Sequence, residues 1–267
     1  MSLRLALSGA GLRVAVVPGW ESRGNSWAGG KPTGIMHHHT AAPVPFPVER
    51  LYGSLLKCNI NTKPDGTVWL IAARACNYSS GPGSSVVLGE VRAGTAPTAN
   101  ASTRGLKDDY NANPYFFNFE NDHLGHGEPL PQVQFDAIIT ATEVVMEYFD
   151  ITHVGSVVSH AESTARKSDP YWNGNLRAIE DIRRALEMPS VEEIAQAVWD
   201  LELGPRDEKK KTRTLLRRIY NRTGDIKEMV KDLEDLDDDD LQAISVAVAN
   251  ELARRLTPSA TGNAGPQ

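Results

Sequence analysis

Gly34-Ile35-Met36-His37-His38-His39-Thr40 is the stretch on which the fold turns. A glycine, two apolar residues and three histidines read as a buried strand that ends in metal-competent side chains. Side chains alternate across a strand, so His38 faces one side of a sheet while His37 and His39 face the other, and only one side can serve a metal. A second apolar run, Val157-Val158-Ser159, delivers His160 at its exit, with Lys167 and Asp169 close behind. Two strand ends that each offer an imidazole, with one carboxylate beside them, form the ligand set of a zinc site that keeps its fourth position open for water. A triplet of histidines also suits a tag remnant or an adventitious surface metal binder. Its interior position in a strand-like context argues against the first, and the downstream His160 against the second. Among His37, His38 and His39, the residues alone leave the choice of ligand open.

Outward from this strand, the chain alternates short apolar runs with helical patterns. Leu12 to Val17 reads as an edge strand, and Pro18 to Thr33 as a loop. Pro-rich Ala41 to Val48 leads into an expected short helix, Glu49 to Leu56. Cys58 to Thr62 and Val68 to Ala73 form a hairpin about Lys63-Pro64-Asp65-Gly66. Residues 77–113 are rich in Gly, Ser, Ala, Asn and Thr with little periodicity, which predicts long surface loops that could line a glycan or peptide groove. Phe117-Asn118-Phe119-Glu120-Asn121 is a further strand. Phe135, Ile138, Val145 and Phe149 recur at helical spacing over Pro131 to Phe149, as do Leu176, Ile179, Ile182 and Leu186. Helices against strands in this order predict an α/β class, a mixed central β-sheet flanked by helices, over residues 1–187.

Composition excludes several classes. With 267 residues and a formal net charge of −6, the chain offers no broad basic face for nucleic acid. No stretch reaches the length of a transmembrane helix. The apolar residues of Met1 to Val17 are interrupted by Ser8, Gly9, Gly11 and Arg13, and no signal peptide is expected. Cys58 and Cys76 have no metal spacing and read as reduced thiols. His123 and His126 form a His-x-x-His pair without a third ligand. Their glycine-rich loop predicts solvent exposure, where His126 could touch substrate.

Composition shifts at Met188-Pro189. Ser190 and Glu193 make a capping box before an apolar stripe of Ile194, Ala197, Val198 and Leu201, and Gly204-Pro205 ends that helix. A basic helix with Lys209, Lys210, Lys211, Arg213, Arg217, Arg218 and Arg222 follows, then an acidic run from Asp237 to Asp240 before a last helix, Leu241 to Leu256. Residues 188–257 are thus a small helical domain, suited to contact with anionic polymers or a membrane surface or to homo-oligomerisation, and 258–267 a disordered tail.

Apolar-apolar-His-His-x-Thr, Ser159-His160-Ala161-Glu162 and Arg166-Lys167-Ser168-Asp169-Pro170 together resemble the zinc N-acetylmuramoyl-L-alanine amidases. These include phage endolysins, wall-recycling amidases and peptidoglycan recognition proteins. The resemblance covers about residues 10–187. It implies His38, His160 and Asp169 as Zn2+ ligands, with Glu120 and Lys167 as catalytic residues. Zinc would acidify a water and polarise the scissile amide, Glu120 would carry its proton to the leaving amine, and Lys167 would stabilise the oxyanion. The implied substrate is peptidoglycan, cut between N-acetylmuramic acid and L-alanine. A phage endolysin, made in the host bacterial cytoplasm and reaching the wall at lysis, is the implied role. A muropeptide-recycling amidase and a non-catalytic recognition module are the alternatives. The chain departs from the recycling pattern at Glu162-Ser163-Thr164-Ala165, which replaces a proline-containing turn. Without the resemblance, Glu120 reads as a solvated strand-end carboxylate, Lys167 as a surface lysine, and Asp169 as a helix cap.

Overall fold

The computed structural model describes residues 2–187. The helices expected over 188–257 and the tail over 258–267 lie outside the described residues.

The chain opens with helix α1 (Leu3–Gly9), whose Ser2 side chain accepts from the Leu5 N–H at 3.4 Å. Leu3 and Leu7, one turn apart, are its buried side. Strands β1 (Val14–Val16) and β2 (Gly34–His39) follow, then β3 (Ile60–Thr62) and β4 (Val68–Leu70). The segment 77–113 holds β5 (Pro82–Gly83), α2 (Ser85–Arg92), α3 (Ala101–Arg104) and β6 (Tyr110–Asn111). After β7 (Phe116–Asn121) come α4 (Gln132–Tyr148), β8 (Val157–Ser159), α5 (His160–Ser163) and α6 (Ile179–Leu186).

Six strands form one mixed sheet in the order β1-β4-β3-β7-β2-β8. β3, β7, β2 and β8 run parallel to one another, and β4 pairs antiparallel to β3 through the hairpin predicted about Lys63–Gly66. β1 is the expected edge strand, parallel to β4. The parallel strands carry their C-terminal ends to one edge, where open α/β sheets place their ligands. Two of those ends, on β2 and β8, are the histidine-bearing ones.

Alternation sorts the side chains of the central strands. Ile35, Phe117, Phe119 and Val157 point to one face, where they join Leu3 and Leu7 of α1, Ile138, Ala141 and Val145 of α4, and Ile179 and Ile182 of α6. Met36, Phe116 and Val158 point to the other, against Val87, Leu88 and Val91 of α2. Phe116, Phe117 and Phe119 are fully buried, each worth roughly 1.5–3 kcal/mol of hydrophobic stabilisation. Gly34 sits where β2 enters between layers: a Cβ there would lie 2.5 Å from the Ser156 carbonyl oxygen and 2.8 Å from Val91 Cγ1. No other residue fits that crossing unshifted. Gln134, buried on α4, donates to the Thr62 and Asp122 carbonyls at 3.1 and 3.0 Å, so the helix ties down the ends of two strands.

Several local expectations are corrected. The helix expected over Glu49 to Leu56 is one 3-10 turn, Val48–Leu51, because Gly53 takes φ 138°, outside the range of a helix, and Leu55 is exposed. The long loops expected over 77–113 contain α2, which covers one face of the sheet with Val87, Leu88 and Val91. Helix α6 begins at Ile179, and Leu176 is left outside it and exposed. His123 is buried rather than exposed: its Nδ1 accepts from the Gly125 N–H at 3.1 Å and its ring meets Trp172 edge-on at 6.0 Å. His126 is exposed, as expected. Cys58 and Cys76 are buried and free, and burial raises both thiols well above their ordinary range. No helix among the described residues is long and apolar enough to cross a membrane.

Candidate metal centre and active site

His38 lies one residue before the end of β2, on the sheet face shared with Met36, and its register partner on β7 is Glu120. His160 is the first residue of α5, directly after β8. Asp169 arrives from the loop that follows α5. The three side chains converge: His38 Nδ1 and His160 Nδ1 are 3.0 Å apart, and Asp169 Oδ2 is 3.2 Å from the first and 3.1 Å from the second. All three residues are buried.

Each corner of this triangle is held by backbone or by a buried network. The Asn121 side-chain amide donates to the His38 carbonyl at 2.7 Å, and the Thr40 N–H to the Asn121 carbonyl at 3.0 Å. The Ser159 hydroxyl accepts from the Glu162 N–H and Glu162 accepts from the Ser159 N–H, both at 3.1 Å, a capping box that fixes His160 in the first turn of α5. Glu162 is fully buried and receives both guanidinium nitrogens of Arg183, at 2.9 and 2.7 Å, and Arg177 at 3.2 Å. Arg183 Nε in turn donates to the Val157 carbonyl at 2.8 Å. Asp169 is tied to the His160 segment by the Ala161 N–H, which donates to its carbonyl at 2.9 Å, and to β2 by the Tyr171 N–H, which donates to His39 Nδ1 at 3.0 Å.

The two other histidines of the triplet therefore have separate duties on the opposite face. His37 is buried against Phe119, 4.7 Å between ring centroids, with Nε2 3.3 Å from the Thr142 hydroxyl, and burial drives its pKa down to about 3. His39 packs on Gly125, where a Cβ would collide with its ring.

Burial pushes His38, His160 and Asp169 toward neutrality. For Asp169 that is outweighed by its hydrogen bonds to His160 and His38, which hold it well below the usual carboxylate range. For His38 it is outweighed by the Asp169 hydrogen bond and the charges of Glu120 and Asp169, so its pKa is raised. Burial and the neighbouring His38 lower His160 to about 4. The buried Asp169 carboxylate thus favours positive charge at His38, which a bound metal cation would also satisfy. Two imidazole nitrogens and one carboxylate oxygen suit zinc, whose tetrahedral bonds of about 2.0–2.1 Å set ligand atoms roughly 3.3 Å apart. The observed separations fit that requirement.

Glu120 and Lys167 stand beside the cluster. Glu120 is half-buried at the end of β7, on the same face as His38. Burial raises its pKa to about 8, against the downward pull of His38 and Lys167 and with a further push from Asp169. Lys167 is exposed and, with His160, lines a cavity of about 560 Å³ whose other walls include Tyr78, Asp108, Tyr110, Asn113 and Arg166. Residues of the 77–113 segment thus border the cavity beside the cluster. Asp169 caps no helix; its segment passes through a turn about Trp172–Asn175 before α6.

Sequence reasoning missed Asn118, whose Oδ1 lies 2.9 Å from His38 Nε2, along with Glu162, Arg183 and the part played by His39. Only the Glu162 contact had a readable signal, the Ser-x-x-Glu spacing of a capping box.

No curated protein matches the chain. Among solved structures, the chain is similar to the endolysin N-acetylmuramoyl-L-alanine amidase LysCS from Clostridium intestinale URNW, at 15% identity, over 63% of this chain and 93% of that one, with a TM-score of 0.41. It is similar also to the N-acetylmuramyl-L-alanine amidase AmiD from E. coli, at 14% identity, over 86% and 93% of the two chains, with a TM-score of 0.42. The N-acetylmuramoyl-L-alanine amidase family, Amidase_2, matches residues 28–172, which contain β2, β7, β8 and all five residues of the cluster and its flanks. That span is more than half of the sequence, and the chain belongs to the N-acetylmuramoyl-L-alanine amidase family.

Proposed function

We propose that this protein hydrolyses the amide between N-acetylmuramic acid and L-alanine in peptidoglycan, with a zinc ion held by His38, His160 and Asp169. The observation that carries this is the buried triangle of donor atoms 3.0–3.2 Å apart beside a half-buried glutamate. Zinc bound by such a set supplies Lewis acidity, which acidifies water and polarises an amide carbonyl.

The chain's own groups do the rest. Glu120 is the general base, and its pKa of about 8 suits a group that takes a proton from water near neutrality and returns it to the leaving amine. Lys167 projects its charge into the cavity and stabilises the oxyanion that develops on the scissile carbonyl. His37 and His39 do not bind the metal; His39 steadies the Asp169 segment through the Tyr171 N–H. The cavity bordered by the 77–113 segment receives the peptide or glycan next to the bond that breaks.

The catalytic domain is residues 1–187, with 188–257 as a wall-targeting or oligomerising domain and 258–267 as a tail. A second domain suits a phage endolysin, which must find the wall, better than a recycling enzyme of soluble muropeptides.

Digestion of purified peptidoglycan with zinc-loaded protein, followed by mass analysis of the released ends, tests the reaction. New L-alanine amino termini, lost on chelation and restored by zinc, are the expected result. Intact muramoyl-alanine bonds on several peptidoglycan types despite bound zinc would overturn it in favour of a recognition module. Cleavage confined to soluble muropeptides would overturn the endolysin role alone.

A further inference from the structure

The geometry points to Asn118 as a positioning residue that decides which nitrogen of His38 meets the metal. This rests on the reading of His38 as a ligand and adds what makes it one. Asn118 sits on β7, fully buried, two residues before Glu120 and on the same face. Its Oδ1 lies 2.9 Å from His38 Nε2 and also accepts from the Ser80 hydroxyl at 2.7 Å. Its Nδ2 donates to the Phe116 carbonyl at 2.6 Å.

These contacts leave the amide one orientation. Turned over, it would set Oδ1 against the Phe116 carbonyl and aim its NH2 at His38 and at the Ser80 hydroxyl, losing the Phe116 bond and gaining a lone-pair repulsion. The backbone of Asn118 is pinned too. Its N–H donates to Asn59 Oδ1 at 2.9 Å, and Asn59 Nδ2 donates to the Ala72 and Arg74 carbonyls at 3.1 and 2.7 Å. With an acceptor fixed opposite Nε2, that nitrogen carries the proton and donates. Nδ1 is then left bare, and Nδ1 is the atom 3.0 Å from His160 and 3.2 Å from Asp169. Ligating imidazoles depend on such a partner for ring orientation and basicity. Here the nearer partner is a neutral amide whose other bonds are all made, with the Ser79 hydroxyl farther off at 3.4 Å, so Nε2 is held without adding charge to a site that already holds Asp169 and Glu120.

Two measurements on the full-length chain test this. Competition of zinc against a chromophoric chelator compares wild type with Asn118→Leu, which keeps the volume and removes the acceptor. An affinity loss of about 10- to 100-fold is expected, with Asn118→Asp, which retains an acceptor facing Nε2, losing less. Nitrogen NMR of histidine-labelled, zinc-loaded wild type, which needs no variant to fold, reports the protonated atom directly. A His38 signal with hydrogen on Nε2 and metal on Nδ1 is expected. A wild-type chain that takes up no zinc overturns the ligand reading, and this inference with it. Zinc bound by wild type through His38 Nε2, or bound by folded Asn118→Leu as tightly as by wild type, overturns the inference alone.

Discussion

Lys167 and Glu120 work against each other's environment, and that opposition can be read in a pH profile. Burial holds the Glu120 carboxyl up at about 8, and the positive charge of Lys167 pulls it down. A general base acts in its deprotonated form, so activity rises as pH passes upward through this pKa. Removing the lysine charge removes a stabiliser of the carboxylate, so the pKa of Glu120 rises further. In Lys167→Gln the acid limb of kcat/KM is expected to move to higher pH, in addition to a lower plateau from the lost oxyanion stabiliser. A lower plateau with an unmoved limb would show that the lysine acts on substrate alone. At this scale the convergence of His38, His160 and Asp169 was legible in the sequence, because few other histidines and carboxylates stand at strand exits. Asn118 and Ser80 were not. A neutral amide in a strand interior looks like any other polar position until the fold shows what lies opposite it.

Among the elements, α5 shows how much can depend on four residues. It is too short to be stable by its own hydrogen bonds. It persists because Glu162 closes a capping box and receives Arg183 and Arg177 in the interior. Breaking such a pair leaves a buried cation without compensation, at a cost of roughly 3–5 kcal/mol. Glu162→Gln is therefore expected to lower the free energy of unfolding by that order, seen as a lower denaturant midpoint, and to weaken zinc binding, since His160 rides on the same turn. Chemical denaturation with zinc present and absent checks both; unchanged stability would mean that Arg183 finds another acceptor. Helix α4 was readable from periodicity, since its 17 residues repeat the pattern several times, and the strands from short apolar runs bounded by turn residues. Helix α2 was hidden because eight residues, Ser85–Arg92, offer only Val87, Leu88 and Val91 as a stripe amid glycine and serine. The Glu49–Leu56 segment misled in the other direction, its leucines suggesting a helix that Gly53 interrupts.

For the molecule as a whole, the proposed zinc site ties metal binding to the fold. Its ligand atoms come from three distant segments, which an unfolded chain cannot gather, so zinc bound there would favour the native state. At a free zinc concentration about 100-fold above Kd, the native state gains about 2.7 kcal/mol, which for a domain of this size raises Tm by roughly 5–10 °C. Thermal scans are expected to show that rise in the wild type and its reversal by a chelator. His160→Ala should keep a similar metal-free Tm and lose the response. A zinc-dependent rise that survives in His160→Ala would place the ion elsewhere.

Three consecutive imidazoles on β2 carry a further consequence. Were the strand to slip by one residue in either direction, His37 or His39 would stand where His38 stands now, and a metal would still find a nitrogen there. Ile35 and Met36 would meanwhile exchange faces of the sheet. The metal therefore cannot proofread this strand. That task falls to Gly34, because either slip brings a side chain, from Thr33 or Ile35, into a space where Ser156 and Val91 leave room for none.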